Sequence, residues 1–154
     1  MNATVTVKSN GPAVSVILKG LSARAAVTVG VHAEDGSQDH GGMTTAELAT
    51  IHEFGATGSG VNIPARSWLR DYVEANEPRH LEMLRRVAAE GIKGHPMEQA
   101  MGQLGAQLVG EVKERIIAGI APPNAESTIA RKGSETPLID TGQFIGSIHY
   151  QVER

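Results

Sequence analysis

Cysteine is absent from the 154 residues. That excludes a disulfide framework, a thiolate nucleophile, Cys-ligated zinc and an iron–sulfur cluster. Aromatic side chains are scarce: two Phe, two Tyr and one Trp. No apolar run approaches the roughly 18 residues of a membrane span. The N-terminus (MNATVTVKSNG) lacks a charged segment followed by an apolar stretch, so it does not read as a secretory signal. A block of one charge sign is also missing. Fourteen Lys and Arg stand against seventeen Asp and Glu, for a net charge of −3. A protein that holds nucleic acid chiefly by neutralising phosphates is normally basic.

What is present is small and glycine-rich. Val, Leu, Ile and Phe make up only 35 residues, and Ala (19) and Gly (18) outnumber any of them. One domain is expected from the length. A compact chain of this mass keeps about 7,400 Å² of surface, so a monomeric core is feasible but thin. The expectation is a soluble, cytosol-made domain that profits from a partner.

The front third alternates apolar and polar residues at the period of strands. Val5 and Val7 form one run, Val14, Val16 and Leu18 a second, and Val27, Val29 and Val31 a third. Gly11-Pro12 separates the first two, and Leu21 to Arg24 connects the second to the third. Residues 33–43 (AEDGSQDHGGM) are polar and read as a mobile loop. Thr44 with Glu47 has capping-box spacing for a helix carrying Leu48, Ile51 and Phe54, and Gly55 stops it. Residues 55–60 (GATGSG) read as a second flexible loop, followed by an extended edge segment, Val61 to Arg66, in which Pro64 excludes a central strand position.

A helix is expected over 67–92, restarting at Asn76-Glu77-Pro78 with Asn76 as cap. Leu81, Leu84, Val87, Ala88 and Ile92 share one face of it. A second runs from Pro96 to Gly119, with Met97, Met101, Leu104, Leu108, Val112 and Ile116 at helical spacing. Gly102, Gly105 and Gly110 each weaken that helix by up to about 1 kcal/mol, which implies close approach of another backbone. Residues 121–137 are too polar and Pro/Gly/Ser-rich to pack and read as a long arm. Ile148, Tyr150 and Val152 then alternate as a final strand. Strands, then helices, then a strand is the α+β order. The fold expected is a small, mostly antiparallel sheet packed against two long helices.

Chemical motifs are weak. His52-Glu53 begins like H-E-x-x-H, but Ala56 occupies the second His position. Asp35, Asp39 and His40 do not match a calcium loop. The stretch GATGSG lacks both the following Lys-Ser/Thr of a phosphate loop and the dinucleotide spacing. No activated-serine context occurs. Arg85-Arg86 and Arg131-Lys132 are the main basic pairs.

Three stretches stand out in order. The first is A-T-I-H-E-F-G (Ala49 to Gly55), leading to I-P-A-R-S-W-L-R (Ile63 to Arg70). The second is P-P-N-A-E-S-T-I-A-R-K-G (Pro122 to Gly133). The third is P-L-I-D-T-G-Q-F-I-G-S-I (Pro137 to Ile148). With two helices between the first and second, residues 27–152 resemble the small tailed-phage neck proteins. These are the tail-completion or tail-to-head joining proteins, also called virion morphogenesis proteins. Two departures are visible. Arg66-Ser67-Trp68 stands where the family has Arg-Pro-Phe, and Gln143-Phe144-Ile145 where many members have Leu or Leu-Arg.

The resemblance implies a virion structural protein without a catalytic site or cofactor. It implies a homo-oligomeric ring, typically a hexamer, at the head-proximal end of the tail. The implied partners are the head connector or stopper protein and the tail terminator or tube, with DNA passing through the lumen and no membrane. Phe54, Ile63, Pro64 and Trp68 would anchor the glycine loop and edge segment; for Phe54 and Trp68 ordinary core packing competes. Arg66 and Arg70 would face a neighbour's carboxylates, or solvent. Thr128, Arg131 and Lys132, on the arm, would contact other subunits. Asp140-Thr141 would cap a short helix. Other readings stay open: a terminator ring that caps tube polymerisation, a small metal-dependent hydrolase using His52 and Glu53, and a DNA-binding accessory factor.

Overall fold

The computed structural model describes residues 25–39, 41–58 and 60–153. The runs around Val5 and around Val14 to Leu18 lie outside the described residues. The third run forms β1 (Ala26–Val31), and the closing run forms β4 (Ile148–Glu153). The two pair antiparallel, Val27 opposite Val152, Val29 opposite Tyr150 and Val31 opposite Ile148. Opposed residues of an antiparallel pair share a face. One face therefore carries only apolar and aromatic side chains.

That face lies on the long helix α5 (Met97–Ala118). Met101, Leu104, Val112 and Ile116 of its apolar stripe are buried, and Val112, Ile116 and Ile148 have no accessible surface. Complete burial of such a side chain is worth about 1.5–3 kcal/mol. Helix α4 (Glu77–Ile92) packs on α5 through Val87, Met101 and Leu104. The larger core cluster joins Val112 and Ile116 to Trp68, Tyr72, Leu138 and Phe144. The architecture is α+β, a small antiparallel sheet with helices on it. Among the described residues no helix is long and apolar enough to cross a membrane.

The local signals place most boundaries. Helix α2 (Thr45–Phe54) begins with the full capping box of Thr44 and Glu47 and ends at Gly55, whose φ is 75°. The helix expected over 67–92 is two helices, α3 (Arg70–Ala75) and α4, broken at Asn76 with Pro78 in the first turn of the second. Asn76 does not cap α4 through its side chain. Its amide donates instead to the Tyr72 carbonyl at 2.8 Å, closing α3. The expected buried face of α4 is also narrower: Val87 is buried, but Leu81, Leu84 and Ile92 are exposed.

Three stretches expected as mobile loops carry regular structure. Within 33–43 lies α1 (Ala33–Gly36), and the Gln38 carbonyl accepts from both the amide and the hydroxyl of Thr45, at 2.9 and 3.2 Å. Within 55–60 begins a hairpin of β2 (Ala56–Gly58) and β3 (Val61–Ile63). Within 121–137 lies α6 (Glu126–Lys132), stopped by Gly133 with φ 71°. Polar stretches without an apolar face are ordered here by hydrogen bonds to their carbonyls, which hydropathy does not register.

Two contacts tie α5 to the sheet and to its neighbouring helices. At Gly105 a Cβ would lie 2.6 Å from the Tyr150 ring and 2.7 Å from Val27 Cγ2. The expected close approach is real there, although side chains rather than backbone make it. Gly110 faces open space. The second contact is a clasp on Glu111: it accepts from the Tyr72 hydroxyl, from two guanidinium nitrogens of Arg79 and, at 2.9 Å, from Gln107. It joins α3, α4 and α5. The Arg79 hydrogen bonds hold the Glu111 carboxyl down to about 2, and burial, then Glu111 itself, pushes the Tyr72 hydroxyl up.

Opposite signs follow for the two glycines. Gly105→Ala should destabilise by about 1–3 kcal/mol through overpacking, whereas Gly110→Ala should stabilise by up to about 1 kcal/mol; thermal melts of both variants check this. The depressed Glu111 carboxyl stabilises the fold above the ordinary carboxylate range, and that contribution is lost as pH falls from about 4.5 towards 2. Glu111→Gln should therefore cost about 1–2 kcal/mol at neutral pH. The cost should fade over that window in denaturant titrations run at successive pH values.

Candidate functional site

The site is organised around one carboxylate. Glu53, in the last turn of α2, is 8% exposed. Its two oxygens accept from the Ser67 hydroxyl at 2.6 Å and from the backbone amides of Trp68, Leu69 and Arg70 at 3.0, 3.1 and 3.1 Å. Those amides lead into α3, whose first N–H groups have no intrahelical partner. A negative charge over a helix N-terminus also meets the positive end of the peptide dipoles. Glu53 is thus a helix cap supplied from another helix. Ser67 extends it, since its hydroxyl accepts from the Asp71 amide at 3.0 Å.

The same contact locks the aromatic core. Trp68 is 4% exposed, donates from Nε1 to the Ala49 carbonyl at 3.2 Å and meets the Phe144 ring edge-on, centroids 5.4 Å apart. The His52 ring centroid lies 5.9 Å from that of Phe144, and the His52 carbonyl accepts from the Arg66 amide at 2.7 Å. The first and third of the motif stretches are therefore one packed unit. In the hydrolase reading Glu53 would be a free base or ligand; here both of its oxygens are engaged by donors. Among the described residues no group of three or more His, Asp or Glu is placed to hold a metal ion.

Two clefts flank this knot. The first, about 560 Å³, is where the three motif stretches meet. The first stretch contributes His52, Ile63, Pro64 and Arg66; the second, Thr128, Arg131 and Lys132; the third, Leu138, Asp140, Thr141 and Phe144. Arg66 is buried, against the expectation that it faces a neighbour. Its Nε and Nη2 donate to the carbonyls of Pro122 and Pro123 at 2.7 and 3.0 Å, so it pins the arm to the body. Lys132 donates to the Thr136 carbonyl at 2.7 Å. Burial lowers the Lys132 ammonium and the Arg66 guanidinium, with Asp140 acting the other way on Lys132. Of the expected cap pair it is Thr141 that accepts from the Gln143 amide, at 3.3 Å, at the start of α7 (Gln143–Gly146). Three cations face one carboxylate in this cleft, so it suits an anionic group.

The second cleft, about 700 Å³, holds the other three candidates, Phe54, Trp68 and Arg70, beside Val29 to Val31 of β1. Phe54 is 63% exposed and is not core. The Arg70 guanidinium lies over its ring, 5.4 Å from the centroid, and reaches Asp71 at 3.6 Å. Such a cation–π pair keeps an exposed aromatic oriented. All nine residues singled out in the sequence thus line one cleft or the other.

A further polar cluster has no sequence motif. On the outer face of the sheet the His32 and His149 rings lie with centroids 4.6 Å apart and planes tilted by 32°, with Asp35 3.2 Å from His149 and the Thr28 hydroxyl 2.9 Å from His32. Burial, then the neighbouring His149, lowers the His32 imidazole. Only the pairing of Gly30 with His149 brings the two histidines together.

No family profile, curated protein or solved structure matches this chain. Glu53→Gln keeps the shape but removes the charge and turns an amide donor towards other donors. It should cost about 2–4 kcal/mol in denaturant unfolding, and Ser67→Ala about 1 kcal/mol.

Proposed function

We propose that this chain is a structural virion protein that forms a ring, of six copies, at the head-proximal end of a phage tail and joins the tail to the head connector or stopper. The observation that carries the reading is the convergence of three stretches, 49–70, 122–133 and 137–148, on one basic cleft. These are the same stretches that resemble tail-completion proteins, and nothing about local folding requires them to line one surface.

The chemistry of the cleft fits a docking role. It offers Arg131 and Lys132, side-chain amides of Asn62 and Asn124, and the hydroxyls of Thr128 and Thr141. A cleft that accepts an extended, acidic segment of a neighbouring copy gives a heterologous contact, and heterologous contacts repeated by rotation close into rings. In this reading binding energy and geometry are the whole activity. The tail terminator or tube and the connector occupy the two faces of the ring, and DNA passes through its lumen.

Arg131 is exposed and bears no described tertiary hydrogen bond, so Arg131→Glu should leave stability within about 0.5 kcal/mol. Native mass spectrometry of the wild type with tail components should give ring-sized oligomers, and the variant should reduce their yield at least tenfold. A wild-type protein that stays monomeric on assembled tails overturns the proposal.

A further inference from the structure

Two buried residues bound the arm. Ile120 precedes it and Leu138 follows it, and both belong to the core cluster of Trp68 and Phe144. Leu138 holds a left-handed backbone, φ 66°, which a side chain keeps only where its surroundings fix it. Between the two anchors, none of residues 121–136 is buried. The arm closes on itself instead. The Asn124 amide donates to the Glu135 carbonyl at 3.2 Å across the mouth of the loop, and the Lys132 bond to Thr136 braces its end. Among the described residues, both hydrogen bonds that join 121–136 to the rest of the molecule come from one side chain, Arg66.

We propose that Arg66 is a latch and the arm a strap, which swings out about Ile120 and Leu138 when the latch opens while the rest of the molecule stays folded. The latch is held from behind. The Arg66 amide donates to the His52 carbonyl at 2.7 Å, and the next residue, Ser67, is bonded to Glu53. The Glu53 knot therefore presents the guanidinium, and its planar fork takes two successive carbonyls at once. The strap does not stay wound after release. Its helix α6 has seven residues, and a helix below about 12–15 residues is marginal in water unless it is packed. Opening is thus one local cooperative step, of the kind expected where few apolar groups are buried. Pro122, Pro123, Thr128, Arg131 and Lys132 line the basic cleft, so the swing parts one of its walls. An acidic segment enters as the arm swings out and is gripped as it closes; that consequence rests on the docking reading, whereas the latch belongs to the single chain.

Hydrogen–deuterium exchange on the full-length chain tests the latch. The amides of Thr128, Ile129 and Gly133 donate to carbonyls inside the arm, so they report its unwinding. In the wild type the three should be protected by at least ~30-fold against an unstructured chain, yet open at least ~100-fold more readily than the α5 amides from Leu104 to Val112. Arg66→Met should speed the three arm amides at least ~10-fold further and leave those α5 amides within ~threefold. Arm amides that exchange in the variant at the wild-type rate overturn the proposal. So does an equal acceleration of arm and α5, which would make Arg66 a support of the whole fold. The wild-type measurement stands even where Arg66→Met fails to fold: arm amides as slow as those of α5, or as fast as an unstructured chain, leave no strap to open.

Discussion

The placement of everything around the candidate site depends on the Glu53 carboxylate. It ends one helix and starts another, so the direction of α3 relative to α2 is set by four hydrogen bonds to two oxygen atoms. Buried charge is costly unless satisfied, and here the donors are pre-oriented amides at a helix start, which satisfy it fully. The consequence reaches both clefts. Trp68, whose amide is one of the donors, presents its ring to Phe144, while Arg66 precedes the bonded segment and Arg70 is its last donor. One cleft opens on the Arg66 side and the other on the Arg70 side.

The rest of the body is a frame for that knot. Helix α5 carries the sheet on one part of its surface and α4 on another. The Glu111 clasp connects α5 back to α3 through Tyr72, so the helix that Glu53 starts is also held from its middle. The core is small, as the composition requires, and much of the order outside it comes from cations holding carbonyls. Arg66 on Pro122 and Pro123 holds the arm against the molecule, and Lys132 on Thr136 braces it internally. A surface built this way is shaped by polar contacts and leaves apolar ground, such as Phe54 and Val73, uncovered.

Local patterns were legible in the sequence. The capping box at Thr44, the break at Asn76-Pro78, the stripe from Met101 to Ile116 and the alternation at 27–31 and 148–152 each need only neighbouring residues. Long-range hydrogen bonding was not. Glu53 reads as half of a failed metal motif because its donors lie fourteen to seventeen residues away. Arg66 reads as a surface cation because the carbonyls it serves are more than fifty residues away. The 121–137 stretch reads as an arm because it has no apolar face, although side-chain donors order it. Phe54 reads as core by residue type, yet its position just before Gly55 turns it outward. The candidate residues were found as a group, and their division into two clefts was not readable.

The central claim is that the basic cleft is where one copy grips another. Carboxylate-to-amine cross-linking of assembled oligomers made from mixed light and heavy isotope chains tests it most directly. The account predicts mixed-isotope links from Lys132 to an acidic residue of a different copy. Links from Lys132 confined to its own chain, in a preparation that is demonstrably oligomeric, would contradict it.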